Sequence, residues 1–378
     1  MDIQRQLSRA ILSALQAGKV CLLYGPRRVG KTYLLDKIRQ ELGSGEAIKL
    51  LSGEDRITQQ NLSSCIIEQL RLFVGNCSLM IIDEAQKVPM IGLNLKLLVD
   101  HIPGLKIIAS GSASFELAGS VGEPLTGRKK TFYLYPISAP EEIETFDLQF
   151  HQSLLEQRLI TGSYPELYSI NSEPDRHAYL HELVDSYLFK DILELENIRN
   201  ARKLVDLLTL LAFQVGNEVS VSELGNQLEL HKNTVSRYLD LLEKAFVIRN
   251  IRGFSRNLRK EVTKTSRYYF YDNGIRNAII NNFNPLKRRN DTGMLWENYL
   301  VSERIKKQAY SRRRTNNYFW RTYDQKEIDW VEEREGRLFG YEFKYTDKKI
   351  NAPGQWLKSY DNASFEVINR QNYLGFVV

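Results

Sequence analysis

The sequence predicts an α/β protein of several domains. A parallel sheet interleaved with helices is expected over residues 1–137, a helical segment over 138–200, a helix-turn-helix unit with two basic strands over 201–283, and a small α/β domain over 284–378. Three patterns carry this expectation. Short apolar runs alternate with helical periodicity in the first third of the chain, two short helices joined by a tight turn precede two strand-like basic runs, and the last quarter opens with one amphipathic helix followed by short strands. With 378 residues, 43% hydrophobic and 26% charged, the chain is long enough for two or three domains with cores of their own. That composition excludes global disorder, a collagenous fibre and a disulfide scaffold.

No apolar run approaches the roughly 18 to 20 residues of a membrane span. The N-terminal stretch mixes charges through an amphipathic pattern, unlike a secretory signal, so the expected setting is cytoplasmic, with no membrane partner. Cys21, Cys65 and Cys77 are odd in number and lack CxxC spacing, which reads as reduced packing residues. The net charge of +6 is unevenly spread. Residues 1–150 hold 17 basic and 16 acidic groups, residues 151–200 hold 4 and 9, and residues 251–317 hold 16 and 5. The last of these segments is interleaved with aromatics such as Phe254, Tyr268 and Tyr310, a pattern that fits either a phosphate-backbone surface or a solvated face.

Taken in order, a first helix ends near Gly18, and Val20 to Tyr24 reads as a short buried strand. It runs into Gly25-Pro26-Arg27-Arg28-Val29-Gly30-Lys31-Thr32, a complete P-loop. Its glycines let backbone N–H groups turn inward around phosphates, and the following helix, Thr32 to Glu41, opens with Thr32 and Tyr33 and points its positive end at them. Lys31 is placed to reach the β- and γ-phosphates and Thr32 to hold Mg²⁺, so ATP and Mg²⁺ are the expected cofactors. A second apolar run, Leu79 to Ile82, ends in Asp83-Glu84, 52 residues after Lys31. Asp83 is the candidate for orienting the Mg²⁺ shell and Glu84 for positioning and polarising the attacking water. A third run, Leu105 to Ala109, ends in Ser110-Gly111-Ser112. A hydroxyl there either senses the γ-phosphate or holds the water, or simply caps the strand. The nucleotide is expected at the carboxyl ends of these strands.

The segments YGPRRVGKT, IIDEAQKVP, IIASGSAS and LTGRKKTFYLYPIS together resemble the prokaryotic AAA-type (AAA+) P-loop ATPases whose C-terminal half is a domain of unknown function. Gly162 to Glu166 and Tyr268 to Asp272 match further segments of that family, so the resemblance spans essentially the whole chain. It implies that Arg128 contacts the γ-phosphate within a chain or between subunits, and that the protein forms a homo-oligomer, either a ring or a conditional one.

Ser138 to Gln152 reads as an acidic domain edge, and residues 153–200 as a helical lid with acidic faces. His177 and His181 have a zinc-compatible spacing but no third ligand, and read as a solvated pair. From Ala201, a helix leads to Val219–Leu228, a turn at Glu229–His231 and a second helix from Lys232 to Leu242. With strands at 248–254 and 267–270 this reads as a winged helix. It serves either packing or DNA binding, with Lys232, Asn233, Thr234, Ser236, Arg237, Arg252 and Arg256 as the candidate contacts.

Asn282 to Gly293 has the composition of a linker. Beyond it, a helix at Met294–Ala309 carrying Glu297, then strands at 317–322, 327–331, 339–344 and 365–369, place Asp329 thirteen residues before Glu342-Phe343-Lys344. This order resembles the restriction-endonuclease-like PD-(D/E)xK fold, though Gln325-Lys326-Glu327-Ile328 stands in place of the proline-aspartate signature. The resemblance implies Mg²⁺ on Asp329 and Glu342, Lys344 activating water, and Glu297 as the helix carboxylate. Such a domain cuts DNA or only grips it. The whole sequence therefore points to an ATPase that couples turnover to DNA, with two alternatives: an ATP-regulated metal-dependent nuclease, or a nucleotide-driven switch acting on a protein partner.

Overall fold

The computed structural model describes residues 2–111, 124–185, 201–254, 266–322, 325–347 and 351–378. The chain divides into two compact units, residues 2–135 with 244–246, and residues 136–243 with 247–378. The expected boundaries at 200/201 and 283/284 therefore fall within a single unit. Among the described residues no helix is long and apolar enough to cross a membrane.

The first unit comprises α1 (Leu7–Ala14), β1 (Val20–Tyr24), α2 (Lys31–Leu42), β2 (Ile48–Ser52), α3 (Arg56–Leu62), α4 (Ile67–Val74), β3 (Leu79–Asp83), α5 (Ile91–His101), β4 (Lys106–Gly111) and β5 (Lys129–Tyr133). Its strands form one all-parallel sheet in the order β2-β3-β4-β1-β5. The sequence reason is direct. Val20 to Tyr24 is buried at every position, as are Leu79 to Ile82 and Ile107 to Gly111, the continuous apolar runs that a sheet covered on both faces requires. In α2 the buried positions Leu34, Leu35 and Ile38 follow helical spacing and seat the helix on the sheet. Because β1 lies between β4 and β5, the loop leaving β1 opens at a topological switch point.

The second unit contains α6 (Ala139–Thr145), α7 (Leu148–Ser153), α8 (Leu155–Thr161), α9 (Glu173–Glu182), α10 (Ala201–Phe213), β6 (Glu218–Val219), α11 (Val221–Leu228), α12 (Lys232–Lys244), β7 (Ile248–Gly253), β8 (Ser266–Phe270), α13 (Asn273–Ile279), α14 (Thr292–Tyr310), β9 (Asn316–Arg321), β10 (Glu327–Arg334), β11 (Arg337–Phe343), α15 (Gly354–Ser359), β12 (Ala363–Ile368) and α16 (Tyr373–Val377). All of its strands join in one mixed sheet, β12-β11-β10-β9-β7-β8-β6. The hairpin β7–β8 and the C-terminal strands are thus continuous, joined by a short parallel pairing of Arg252 with Tyr318 and Gly253 with Phe319. Asn282 to Gly293, linker-like in composition, is pinned instead. Asp291 bonds Arg276 at 2.5 Å and Arg289 at 2.8 Å, and these partners draw its carboxyl down to about 2 against the opposing effect of burial. Composition shows breakers but not the arginines that fix them.

Two motif segments distant in sequence meet at Asp272. Its carboxylate caps α13, accepting from Gly274 N at 2.8 Å, and accepts from Ser163 N at 2.7 Å. Gly162, at φ +73°, leaves room for it, since a Cβ there would lie 1.8 Å from Asp272 Oδ1. Gly162→Ala therefore combines a left-handed backbone with a clash against a buried carboxylate. It is expected to destabilise the second unit by about 2 to 4 kcal/mol, read as a fall in its calorimetric melting transition.

A buried ionic group ties α6 to α7 and α8. Glu142 Oε1 accepts from Arg158 Nε and Nη2 at 2.9 and 2.7 Å, and Oε2 meets His151 Nδ1 at 2.5 Å. Burial alone would raise the Glu142 carboxyl, but the His151 hydrogen bond and the Arg158 charge outweigh it and hold it below its ordinary 4.5. A carboxyl lowered in the fold contributes stability that is present above the ordinary value and lost as pH falls through the lower one. Chemical denaturation is thus expected to show the second unit weakening below about pH 4.5. Glu142→Gln should flatten that slope and cost roughly 3 kcal/mol at neutral pH, because Arg158 is left buried without its counter-charge.

Candidate nucleotide site

The P-loop lies between β1 and α2 and is held from both sides. Val29 is buried, Arg28 adopts φ 61° and Gly30 φ 90°, the latter a left-handed turn that brings the backbone round to the start of α2. Gly25 and Pro26 are buried and Arg27 partly so. Lys31 is buried, and its Nζ donates to the carbonyls of Gly25 at 3.1 Å and Pro26 at 3.0 Å. Both acceptors belong to the loop that would surround a phosphate, so the ammonium needs only a short swing to exchange carbonyls for phosphate oxygens. Thr32 and Tyr33 are exposed in the first turn of α2.

Asp83, at the carboxyl end of β3, gathers this edge of the sheet. Its Oδ2 accepts from Thr32 Oγ1 at 2.5 Å, and its Oδ1 accepts from Ser110 Oγ and, at 3.1 Å, from Glu84 N. Glu84 N also reaches Ser110 Oγ at 3.3 Å. Ser110 is fully buried and orients Asp83 and Glu84. Ser112 lies outside the described residues. Glu84 sits at φ 50°, ψ 41°, a left-handed conformation costly for a residue with a Cβ, and its carboxylate accepts a hydrogen bond from Gln86 Nε2.

Arg128 is placed elsewhere. Its carbonyl accepts from Val20 N at the amino end of β1, and its Nε pairs with Asp100. The loop begins at the other end of that strand, about 13 Å away at four residue rises. Within one chain Arg128 therefore does not reach the phosphate position, and the expectation that it acts there in its own subunit is corrected.

One residue missed in the sequence reading is Arg5. It is buried, its Nη1 donates to Val29 O at 2.7 Å and its Nη2 to Tyr135 O at 2.6 Å, clamping the P-loop to the segment after β5. In sequence it is one of several charges on an amphipathic stretch, and nothing local marks it. Beside it lies a cavity of about 480 Å³ lined by Asp2, Arg5, Ser8, Tyr33, Lys37 and Glu41.

In the second unit, Lys232, Asn233, Ser236 and Arg237 are exposed on α12, Thr234 is partly buried, and Arg252 is exposed on β7. Arg256 lies outside the described residues. The buried stripe of α12, Val235, Tyr238, Leu239, Leu241 and Leu242, occupies the other face, which is why the polar residues share one surface. His177 and His181 pack on Phe283, with ring centroids at 4.2 and 5.5 Å.

The structure also brings Glu297, Asp329, Glu342 and Lys344 into one neighbourhood. Lys344 Nζ meets Glu342 Oε1 at 2.8 Å, and Asp329 Oδ2 accepts from Phe343 N at 2.9 Å. Burial raises the carboxyls of Glu297, Asp329 and Glu342 above their ordinary range, while Arg267 lowers those of Glu297 and Asp329 and Lys344 that of Glu342. Among the described residues, no three His, Cys, Asp or Glu side chains converge to hold a metal ion.

Sheet and loop together define the class of the first unit as a P-loop domain. Residues 17–143 match the family model described as an AAA domain, while residues 152–286 and 292–369 match two models described as domains of unknown function, DUF8612 and DUF4143. An uncharacterised protein of Mycobacterium tuberculosis is 26% identical over 346 residues, covering 91% of this chain and 74% of its own. One of Methanocaldococcus jannaschii is 24% identical over 377 residues, covering 94% and 81%. Among solved structures, AMPPCP-bound DnaA from Aquifex aeolicus aligns with a TM-score of 0.31 at 18% identity, over 64% of this chain and 86% of that one.

Replacing Arg5 by alanine removes two charge-assisted hydrogen bonds and leaves two buried carbonyls unmet. The first unit is expected to lose about 1.5 to 3 kcal/mol. A fluorescent ATP analogue should bind correspondingly more weakly, checked by equilibrium titration beside a thermal melt.

Proposed function

We propose that this protein hydrolyses ATP at the P-loop and couples the cycle to DNA through the second unit. The observation that carries the first part is the direct bond from Thr32 Oγ1 to Asp83 Oδ2 at 2.5 Å, with Glu84 next in the chain. A hydroxyl and a carboxylate from two strand-loop elements already face one point, the donor set that Mg²⁺ takes beside nucleotide phosphates. Thr32 and Asp83 would hold that ion, which supplies neutralisation of the phosphate charge. Lys31 leaves its two carbonyls for the β- and γ-phosphates, and the N-terminus of α2 faces the same charge. Glu84 orients and polarises the attacking water, with Gln86 holding one oxygen of its carboxylate. The base enters the cavity between the N-terminal segment and Tyr33.

The DNA part rests on the exposed face of α12 and on Arg252. Helix α10, strand β6, helices α11 and α12, and hairpin β7–β8 follow in the order of a winged helix, with the polar start of α12 free to enter a groove. A cytoplasmic setting and self-association complete the reading, and Arg128 enters it only through a second copy of the chain.

ATP turnover by the full chain with Mg²⁺ tests both parts. Lys31→Ala is expected to abolish it, and Glu84→Gln to lower it roughly 100-fold or more while nucleotide still binds. Single-stranded or duplex DNA should stimulate turnover, less so at higher salt, and Lys232→Ala with Arg237→Ala should flatten the salt dependence by about one unit of slope per lost contact. Turnover that needs Lys31 but ignores every DNA sinks the coupling and favours a protein partner. DNA cut in the same tubes in a Lys344-dependent way would establish the nuclease reading instead.

A further inference from the structure

The carboxylates that match the nuclease-like motif surround a residue that is not part of that motif. Arg267, on β8, is 4% exposed. Its Nη2 bonds Glu327 Oε2 at 2.7 Å, and its Nη1 lies 3.4 Å from Asp329 Oδ1 and 3.8 Å from Glu297 Oε1. The guanidinium carbon sits 4.6 Å from the Phe319 ring centroid, so the plane is held by an aromatic face as well as by the acids. Three carboxylates from α14 and β10 thus converge on one cation, and that cation is a side chain of the protein.

Two of these carboxylates make a further hydrogen bond. Glu297 Oε1 accepts from Tyr269 OH at 2.7 Å, and Asp329 Oδ2 accepts from Phe343 N at 2.9 Å. Mg²⁺ demands oxygens near 2.1 Å in octahedral array and gives up its water reluctantly. A guanidinium cannot lose its charge and fixes its partners at hydrogen-bond length instead. The residues as arranged do not fit a metal. They fit an arginine. Two buried atoms of the cluster have no hydrogen-bond partner, Arg267 Nε and Oε2 of Glu342, a residue more than nine-tenths buried. A buried carboxylate oxygen left unmet is costly, and it marks a position at which a further cation would be welcome.

We infer that Arg267 is the resident cation of this cluster, occupying by its guanidinium the place a divalent ion takes in a metal-dependent phosphodiesterase, and that its removal turns the cluster into a divalent-cation site. In this arrangement the C-terminal strands hold their carboxylates closed. Opening them requires Arg267 to leave, and Arg267 belongs to β8, a strand of the hairpin that follows the α11–α12 turn.

The test is Mn²⁺ titration of the nucleotide-free full chain, followed by electron paramagnetic resonance, with a thermal melt and far-ultraviolet circular dichroism to confirm folding. Wild-type protein is expected to show no Glu342-dependent site. Arg267→Gln should bind Mn²⁺ at least tenfold more tightly than wild type, and the double variant Arg267→Gln with Glu342→Gln should lose that gain. Glu327→Gln removes the 2.7 Å anchor at a half-exposed position and should show the same gain in weaker form. If Arg267→Gln does not fold, Glu327→Gln decides. Wild-type Mn²⁺ binding that Glu342→Gln abolishes overturns the inference, as does a folded variant without any gain.

Discussion

The nucleotide edge of the first unit depends on a single carboxylate. Asp83 takes the Thr32 hydroxyl on one oxygen and the Ser110 hydroxyl and Glu84 amide on the other, so α2, β3 and β4 are referred to one point. This explains why Glu84 tolerates a left-handed backbone: its amide is tied at both Asp83 and Ser110, and the surrounding sheet is too fully buried to relax. In the proposed mechanism this tied backbone fixes the direction of the Glu84 carboxylate before a nucleotide binds. Preorganisation of this kind reduces what must be rearranged once a nucleotide arrives.

The second unit solves a different problem. Beside its apolar core it buries arginines, each with its acid: Arg158 with Glu142, Arg276 with Asp291, and Arg304 with Glu332, whose contacts are 2.5 and 2.9 Å. A buried ion pair is weak evidence for stability, because desolvation offsets much of its attraction. Its directionality is its value here. Each pair joins segments distant in sequence, and a misplaced strand or helix would strand a charge inside the protein.

Local signals made the first unit legible. The expected strand Val20 to Tyr24 is β1, the expected helix from Thr32 to Glu41 is α2 within one residue at each end, and the run Leu79–Ile82 with Asp83 is β3, because buried parallel strands and a glycine loop are written in consecutive residues. The C-terminal helix and strands were legible because their apolar periodicities also lie in consecutive residues. What the sequence could not show is pairing across distance. Arg5 reads as a surface charge and is a buried clamp. Arg128 follows a glycine that invites a phosphate role, yet the parallel register of β5 with β1 carries it to the far end of the sheet. Arg267 lies 62 residues before Asp329 and within a stretch whose basic character suggested solvent or DNA, and only the sheet order brings it among the acids.

That sheet order gives the arginine its wider meaning. Among the described residues strands β7 and β9 share two register pairs, supplemented by Phe254 N donating to Phe319 O at 2.6 Å. The remaining adhesion comes from side chains: Phe254 packed among Tyr318, Trp356 and Tyr360, Arg321 bonded to Glu218 at 2.6 Å, and Arg267 reaching from β8 into the carboxylates. Arg267 is the member of that set that is both buried and permanently charged, so the joint and the closure of the acid cluster are one interaction. A cation site of this architecture is emptied for a metal only by giving up one of the contacts across the joint, while the backbone pairs, the Phe254 packing and the Arg321–Glu218 bond remain. One side chain thus serves both the acid cluster and the joint between the hairpin and the C-terminal strands.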